Sequence, residues 1–318
     1  MSGDVIDAYS HVGLPRFQDL VSYQTVMGSA GVRSAVLSAF GSSPDLGGLH
    51  RAISSAPEHY RAAGIPIGRT RKEVENGIRA QSNAGFTIMR LDDEDIRDRP
   101  WLLQVLAERT MVVLVCGAAF STEDGARLLL QHLERHPDAA VVGGHFGGPR
   151  DPKVLDSGAV RELFGHGRCA VVFSRHGGFR PHVVEPWAQA LLELTGWKRV
   201  MWGAESPVLH WRNETVLSAL SWIDRFSPSQ EDRLAYLGGN ARRVFFSEDI
   251  SPGPLRLPFD PWESSTRLPA QLWANGLPLD QEIAGRLVQG WVSEGGPETG
   301  PLGAYAERVL DRSLPPIV

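Results

Sequence analysis

Several short apolar runs of this chain are followed by side chains that can act as acids, bases or metal ligands. The first run is followed by DAYSH, which places Asp7, Tyr9 and His11 close together. Later runs are followed in the same way by His145 and Glu205. Two imidazoles and a carboxylate, those of His11, His145 and Glu205, form a usual ligand set for Zn²⁺ or a similar divalent ion.

Further polar residues stand in the same position after an apolar run. Arg90 follows FTIM, while Ser174, Arg175 and His176 follow AVVF. Taken singly, each has a structural explanation, because a histidine at a strand end is commonly hydrogen-bonded and a lone arginine is commonly solvated. As a set they carry more weight, since one fold would bring all of them to one rim.

The composition describes a globular chain that is long enough for one barrel or two modest domains. Its 318 residues are 42% hydrophobic and 22% charged, with a net charge of −5 and no basic stripe, which argues against nucleic-acid binding. The longest apolar run, MVVLVCGAAF, is too short to cross a bilayer, and the first residues lack the features of a signal peptide. We expect no membrane association and a cytoplasmic location, with Cys116 and Cys169 as buried free thiols.

Strand-like apolar runs alternate with amphipathic stretches about eight times over residues 1–247. The runs are continuous rather than alternating, as in parallel strands that are buried on both faces. The pattern and the length predict an α/β fold, a (β/α)8 TIM barrel. A doubly wound sheet is the competing fold, but no glycine-rich phosphate loop follows the first strand.

The composition and the periodicity of the sequence change after residue 247. Residues 248–318 are rich in proline at first and then show two short amphipathic helical patterns, over 279–295 and 302–314. We predict a C-terminal extension of loops and short helices. It would pack on the barrel or on a partner subunit, and the second arrangement would give a homodimer.

Four histidines, in contrast, lie in polar company on predicted helices or loops. They are predicted to be surface residues: His50, His59, His132 and His136.

Four segments, in this order, resemble motifs of the amidohydrolase superfamily, in the branch that holds lactonases and cyclic-acid decarboxylases. They are IDAYSHVG (6–13), VVGGHFGGP (141–149), RVMWGAESPV (199–208) and GGNARRVF (238–245). The resemblance spans about residues 1–247 and implies the same barrel fold.

The chain also departs from the family pattern at the metal site. Tyr9 stands where the first strand of the family has histidine, and Glu205 stands where the last strand has aspartate. A tyrosine phenol, with a pKa of about 10, stays protonated at neutral pH and is then a poor zinc ligand. Two interpretations remain. Either a divalent metal such as zinc binds through His11, His145 and Glu205, or the site uses no metal, which we prefer.

The resemblance implies an enzyme that hydrolyses a small cyclic ester of the lactone type. Glu205 would act as the base, His145 and His11 would polarise the carbonyl or protonate the leaving oxygen, and Tyr9 would donate a hydrogen bond to the oxyanion. An anionic substrate would be bound by arginines, whose guanidinium suits a planar anion. The predicted substrate-binding residues are Arg90, Ser174, Arg175 and His176.

Two other functions stay open at this point. The same barrel could catalyse a lyase, isomerase or cyclase reaction of secondary metabolism, which needs acids and bases but no activated water. It could also be a catalytically inactive homologue, although the histidines, the arginine and the carboxylate all remain.

Overall fold

A computed structural model describes residues 4–13, 17–41, 43–212 and 214–261, together with residues 290, 293–295, 305 and 308. The described residues contain one parallel sheet of eight strands in sequential order, with helices between the strands. The predicted (β/α)8 barrel is therefore confirmed. The strands are β1 (Val5–Ser10), β2 (Val32–Ser38), β3 (Tyr60–Gly64), β4 (Ile88–Asp92), β5 (Val112–Cys116), β6 (Val141–Gly143), β7 (Cys169–Phe173) and β8 (Val200–Trp202).

Helices connect the strands and cover the outside of the barrel. They are α1 (Leu20–Ser29), α2 (Leu46–Ser55), α3 (Arg71–Asn83), α4 (Asp93–Asp98), α5 (Trp101–Ala107), α6 (Glu123–Arg135), α7 (Gly158–Gly165), α8 (Pro181–Thr195), α9 (Val216–Ser221), α10 (Gln230–Leu234) and α11 (Asn240–Phe245). The sequence reading did not predict α2, α4 and α7. Two glycines in the first turn weaken the helical signal of α2 in the sequence, because glycine is a weak helix former. In the structure Asp45 stabilises the start of this helix by accepting a hydrogen bond from the backbone N–H of Gly48 at 2.7 Å.

The strands are apolar on both faces because both faces are buried. Small and branched side chains from every strand fill the inside of the barrel, and a second apolar layer lies between the strands and the helices. This arrangement explains why the strand segments read as continuous apolar runs. The interior residues include Ile6, Val36, Ala63, Ile88, Leu114, Val142, Val172 and Met201.

His132 is not the surface residue that we predicted. It lies on α6 with 3% of its surface exposed, on the buried side of the helix with Leu129 and Leu133. The prediction rested on its polar neighbours in the sequence, whereas the helical period turns it inward. Both cysteines are buried free thiols, as expected.

The start of the predicted C-terminal extension lies against the barrel. Arg61 donates a hydrogen bond to the carbonyl of Glu248 at 2.7 Å, and the His50 ring lies 2.7 Å from the carbonyl of Gly253. The two predicted helices over 279–295 and 302–314 fall almost entirely outside the described residues. No helix within the described ranges is long and apolar enough to span a membrane. The cytoplasmic location stays a prediction.

The barrel closes through the segment after β8 rather than through a strand ladder, since no ladder pairs β1 with β8 in the described part of the chain. The N–H of Glu205 donates to the carbonyl of Tyr9 at 2.7 Å, and the N–H of His11 donates to the carbonyl of Ser206 at 2.8 Å. The carboxylate of Asp7 accepts from the N–H of Ala204 at 2.8 Å. Closure therefore fixes the residues of both chain segments that lie at the rim.

Asp7 is a fully buried carboxyl at this closure. Besides the N–H of Ala204, its oxygens accept hydrogen bonds from the N–H of Tyr9 at 3.1 Å and from the hydroxyls of Ser10 and Tyr23. Burial nevertheless raises its pKa from 3.8 to about 6, because desolvation outweighs these four donors. Asp7 therefore holds its proton more tightly in the folded protein than in the unfolded chain.

We predict that Asp7→Asn changes the pH dependence of stability. Since the folded pKa lies above the unfolded one, the contribution of Asp7 is greatest below pH 3.8 and falls by about 3 kcal/mol as the pH rises through 6. The amide can keep an oxygen toward the two backbone N–H groups and offer its NH₂ to the hydroxyls. Urea unfolding between pH 4 and 7 should therefore show the variant gaining about 2 kcal/mol relative to the wild type, because the unfolded carboxyl is already partly ionised at pH 4.

Asp124→Asn is the matched control, because the side chain of Asp124 is 97% exposed. Its unfolding free energy should follow that of the wild type across the same pH range. If the unfolding free energy of Asp7→Asn also changes with pH as that of the wild type does, the raised pKa that we assign to Asp7 is contradicted.

Candidate active site

The predicted catalytic side chains meet at the carboxyl end of the barrel. Tyr9 lies on β1, His11 directly follows it, His145 follows β6 and Glu205 follows β8. Each of the four residues is at most 7% exposed. The ring centre of Tyr9 is 5.0 Å from that of His11 and 5.0 Å from that of His145. The sequence therefore located the cluster, and the structure gives its geometry.

Glu205 is a buried carboxylate among cations. Its Oε1 lies 2.7 Å from Nη2 of Arg175, its Oε2 lies 2.7 Å from Nη2 of Arg212, and Nε2 of His145 is 3.5 Å from Oε1. Burial opposes the ionised form, but His145, Arg175 and Arg212 together hold the pKa of Glu205 well below its usual range. Glu205 is therefore a permanent anion and a weak base in this arrangement.

His145 is a buried, neutral imidazole. The hydroxyl oxygen of Ser174 lies 3.0 Å from Nδ1 and accepts the backbone N–H of His145 at 3.2 Å, so Nε2 is directed toward Glu205. Burial and the charge of Arg175 lower the pKa of His145 well below its usual value. Ser174, predicted to bind substrate, thus lies where it orients His145.

Tyr9 occupies the centre of the cluster. Its hydroxyl oxygen accepts a hydrogen bond from Nε of Arg90 at 3.2 Å, which leaves the phenol proton to be donated elsewhere. Burial and the neighbouring Cys116 raise the pKa of Tyr9 well above its usual value. Tyr9 is therefore a neutral hydrogen-bond donor at the site.

His11 contacts Tyr9 edge to face, and its charge also acts on His145. Its Nδ1 is 3.0 Å from the carbonyl oxygen of Ser38, and its ring stacks on Phe17 with centres 4.4 Å apart. The backbone carbonyl fixes the orientation of the ring, so Nε2 is the nitrogen directed away from the strand.

The two arginines predicted to bind substrate both have carboxylate partners in the chain. Arg90 is 4% exposed and pairs with Asp92 at 2.7 Å, and its guanidinium lies over the Phe40 ring at 4.4 Å. Arg175 uses Nε and Nη2 on Glu205, but its side chain is 41% exposed and its Nη1 has no partner among the described residues. Of the two, Arg175 is the one that can reach a ligand from its present position.

His176 lies beside the cluster rather than in it. Its ring contacts the rings of Phe146 and Trp222, with centres 5.6 and 5.2 Å away, and neither ring nitrogen has a hydrogen-bond partner within the described residues. Burial and the nearby Arg212 lower its pKa to about 3. Its predicted role in substrate binding has no supporting contact here.

Several site residues hold a left-handed backbone that is unusual for residues other than glycine. The φ angle is 51° at His145, 59° at Phe146, 62° at Arg175 and 56° at Glu205. Such conformations cost energy and persist where the surroundings enforce them, which is common at functional sites. They direct the side chains of three neighbouring strand ends toward one point.

Sequence reasoning missed Arg212, the second cation on Glu205. Arg212 lies in a turn of 3₁₀ helix over residues Val208–Arg212 and also pairs with Glu214 at 2.8 Å. It follows no apolar run, so the rule that found the other residues could not find it.

The comparisons with known proteins agree with the fold and the motifs. The amidohydrolase family model matches residues 55–246, which is more than half of the chain. The chain therefore belongs to the amidohydrolase family, and the resemblance seen in the sequence is confirmed. No curated protein sequence matches the chain significantly.

Solved structures with the same fold include enzymes of two reaction types. A candidate 2-pyrone-4,6-dicarboxylic acid hydrolase from Pseudomonas putida is 21% identical, with a TM-score of 0.60 over 78% of this chain and 100% of that one. A 2,6-dihydroxybenzoate decarboxylase from Rhizobium is 14% identical, with a TM-score of 0.58 over 77% and 99%. An amidohydrolase from Burkholderia multivorans, crystallised with bound zinc, is 16% identical, with a TM-score of 0.56 over 76% and 98%.

The residues at this site do not fit a tightly bound metal ion. Within the described part of the chain, no three histidine, cysteine, aspartate or glutamate residues are arranged to hold one. Both oxygens of Glu205 face guanidinium groups at 2.7 Å, and two such charges disfavour a further cation. Tyr9, at the altered ligand position, keeps its proton.

We predict that the purified, untagged protein holds much less than one zinc ion per chain. Elemental analysis after dialysis should give the same low content for the wild type and for His145→Ala, because the carboxylate that a metal would need is already neutralised by Arg175 and Arg212. One divalent ion per chain that disappears in His145→Ala would contradict this assignment.

We also predict that Arg175→Gln raises the pKa of His145. Removal of the guanidinium removes a positive charge that disfavours the imidazolium, so the ring should accept a proton at higher pH. NMR titration of the histidine ring nitrogens measures this directly. Arg225→Gln is the control, since Arg225 pairs with Glu185 on the surface. Equal titration of His145 in both variants would contradict the prediction.

Proposed function

We propose that this amidohydrolase-like enzyme hydrolyses a small cyclic ester that carries a carboxylate. The observation that carries the proposal is the convergence of a neutral imidazole, a protonated phenol and a buried carboxylate at one point of the barrel rim. His145, Tyr9 and Glu205 supply them, with Nε2 of His145 3.5 Å from Oε1 of Glu205. These are the groups that ring opening by general acid–base catalysis requires.

His145 is the better candidate for the base, although the sequence suggested Glu205. The imidazole is uncharged, and its Nε2 faces the carboxylate, so a water beside both groups can donate one proton toward each. As His145 takes the proton, the adjacent anion of Glu205 stabilises the imidazolium. Glu205 itself stays ionised, because two guanidinium groups hold its pKa low.

Tyr9 is proposed to stabilise the opposite charge. Arg90 donates to the phenol oxygen, and the phenol proton, which has Cys116 beside it in the free protein, would be donated to a substrate carbonyl. The negative charge that develops on this oxygen in the transition state would accept the phenol hydrogen bond. Asp92 fixes Arg90 at 2.7 Å, which makes the arginine a positioning group for Tyr9.

A carboxylate on the substrate would also activate the base. In the free protein Arg175 lowers the pKa of both His145 and Glu205, which weakens both as bases. A substrate anion at the exposed Nη1 of Arg175 would neutralise that charge, and the pKa of His145 would rise toward its usual value. This coupling favours an anionic ring over a neutral one.

A second candidate function is a non-hydrolytic reaction of a similar ring, such as decarboxylation, elimination or rearrangement. One observation favours it: both His145 and Glu205 hold pKa values below their usual ranges, so water activation starts from weak bases. The product distinguishes the two reactions, because hydrolysis opens the ring and decarboxylation releases carbon dioxide.

The test is an assay of small cyclic esters, with and without a ring carboxylate, by proton release at constant pH and by mass analysis of the products. His145→Asn, Glu205→Gln and Tyr9→Phe should each lower kcat/KM by about 10²-fold or more, as expected when a general acid or base is lost. His182→Asn, an exposed histidine on α8, should keep wild-type activity. Carbon dioxide release without ring opening would favour the second function, and wild-type rates in all three site variants would contradict both.

A further inference from the structure

The opposite end of the barrel holds a second polar cavity. It has a volume of about 680 Å³ and opens among the residues that precede the strands, far from the rim that carries Glu205. Cavities of this size are typical of small-molecule sites. Five cationic side chains line it: Arg61, Arg168, Lys198, Arg199 and Arg243.

None of these cations forms a close ion pair with a carboxylate in the described part of the chain, although the charge of Asp249 acts on Arg61. Three carboxylates also line the cavity, Asp138, Glu248 and Asp249, but none of them comes within the 4.0 Å of an ion pair with a lining cation. The lining therefore carries two more positive than negative charges, in a protein whose net charge is −5.

Backbone carbonyls accept the hydrogen bonds of Arg61 and Arg199 without neutralising the two guanidiniums. Arg61, which is 2% exposed, donates to the carbonyl of Phe245 at 3.0 Å, and Arg199 donates to those of Phe164 and His166 at 2.6 and 2.7 Å. Burial lowers the pKa of Arg61 and of Arg199. At the rim the result is the opposite, because carboxylate partners outweigh burial and raise the pKa of Arg90 and Arg175.

Donor groups that point to a ligand remain at the mouth of the cavity. Arg243 uses only Nη2, on the carbonyl of Lys198 and on Asn240, so its Nε and Nη1 have no partner among the described residues. The same holds for Nε of Arg168 and for the ammonium of Lys198, judged on the described ranges. Guanidinium and ammonium groups in such a cluster are the usual partners of phosphate oxygens.

We propose that this cavity is a binding site for a polyanion with a diphosphate group, separate from the candidate active site. The excess of positive charge, the unpaired donors and the volume together fit more than a single small anion. Inorganic pyrophosphate is the simplest form of this ligand and serves as the probe. The proposal does not depend on the reaction at the other end of the barrel.

The test is calorimetric titration of the whole protein with pyrophosphate at low ionic strength. The wild type should bind one pyrophosphate per chain. The double variant Lys198→Gln/Arg243→Gln should bind it about a hundredfold more weakly, since each of the two lost charged hydrogen bonds is worth about a factor of ten. Both side chains are exposed, so the fold should not suffer. The matched control Lys72→Gln/Arg97→Gln makes the same charge change at exposed positions outside the cavity.

The control separates a site from a general charge effect. Full affinity in Lys72→Gln/Arg97→Gln together with weakened binding in Lys198→Gln/Arg243→Gln supports the proposal. No saturable binding by the wild type, or equal weakening in both double variants, overturns it. Loss or retention of hydrolytic activity in these variants tests only the proposed function and leaves the proposed pyrophosphate site unaffected.

Discussion

The burial of the Glu205 carboxylate is the constraint on which the site depends. An ion in the interior is costly unless charges and hydrogen bonds of good geometry surround it. Arg175 donates hydrogen bonds to the carboxylate, and Arg212 adds a second positive charge 2.7 Å from Oε2. The two arginines come from segments after different strands. Removal of one arginine would leave the buried carboxylate only half compensated. The burial of Glu205 therefore requires both Arg175 and Arg212 to be in place.

The backbone around Glu205 accommodates this requirement. Glu205 and Arg175 both take left-handed conformations, and Asp7 fixes the residue before Glu205 through the N–H of Ala204. The buried anion at the rim therefore depends on a second buried carboxyl below it. Asp7 can ease its own burial by taking up a proton, whereas Glu205 cannot, because its neighbours are cations.

Much of this arrangement could be predicted from the sequence, because continuous apolar runs mark buried parallel strands and a barrel gathers their carboxyl ends. The same rule placed Tyr9, His145 and Glu205 together. It could not show that Arg90 pairs with Asp92, because a position at a strand end does not reveal whether the partner of a charged side chain is another residue or a ligand. Nor could it show Arg212 or the left-handed residues, which depend on tertiary contacts between segments far apart in the sequence.

The closure between β1 and the segment after β8 also has a consequence for the order of folding. The hydrogen bonds that fix the rim join residues separated by nearly 200 positions, such as Asp7 and Ala204 at a sequence separation of 197. Contacts of such long range form late, because the loop that they close is costly to close. During synthesis, seven strands emerge from the ribosome before the eighth can meet the first. Until then β1 exposes an apolar edge, and Asp7 lacks the donor that Ala204 supplies, so the nascent chain should be most prone to aggregation just before residue 205 appears.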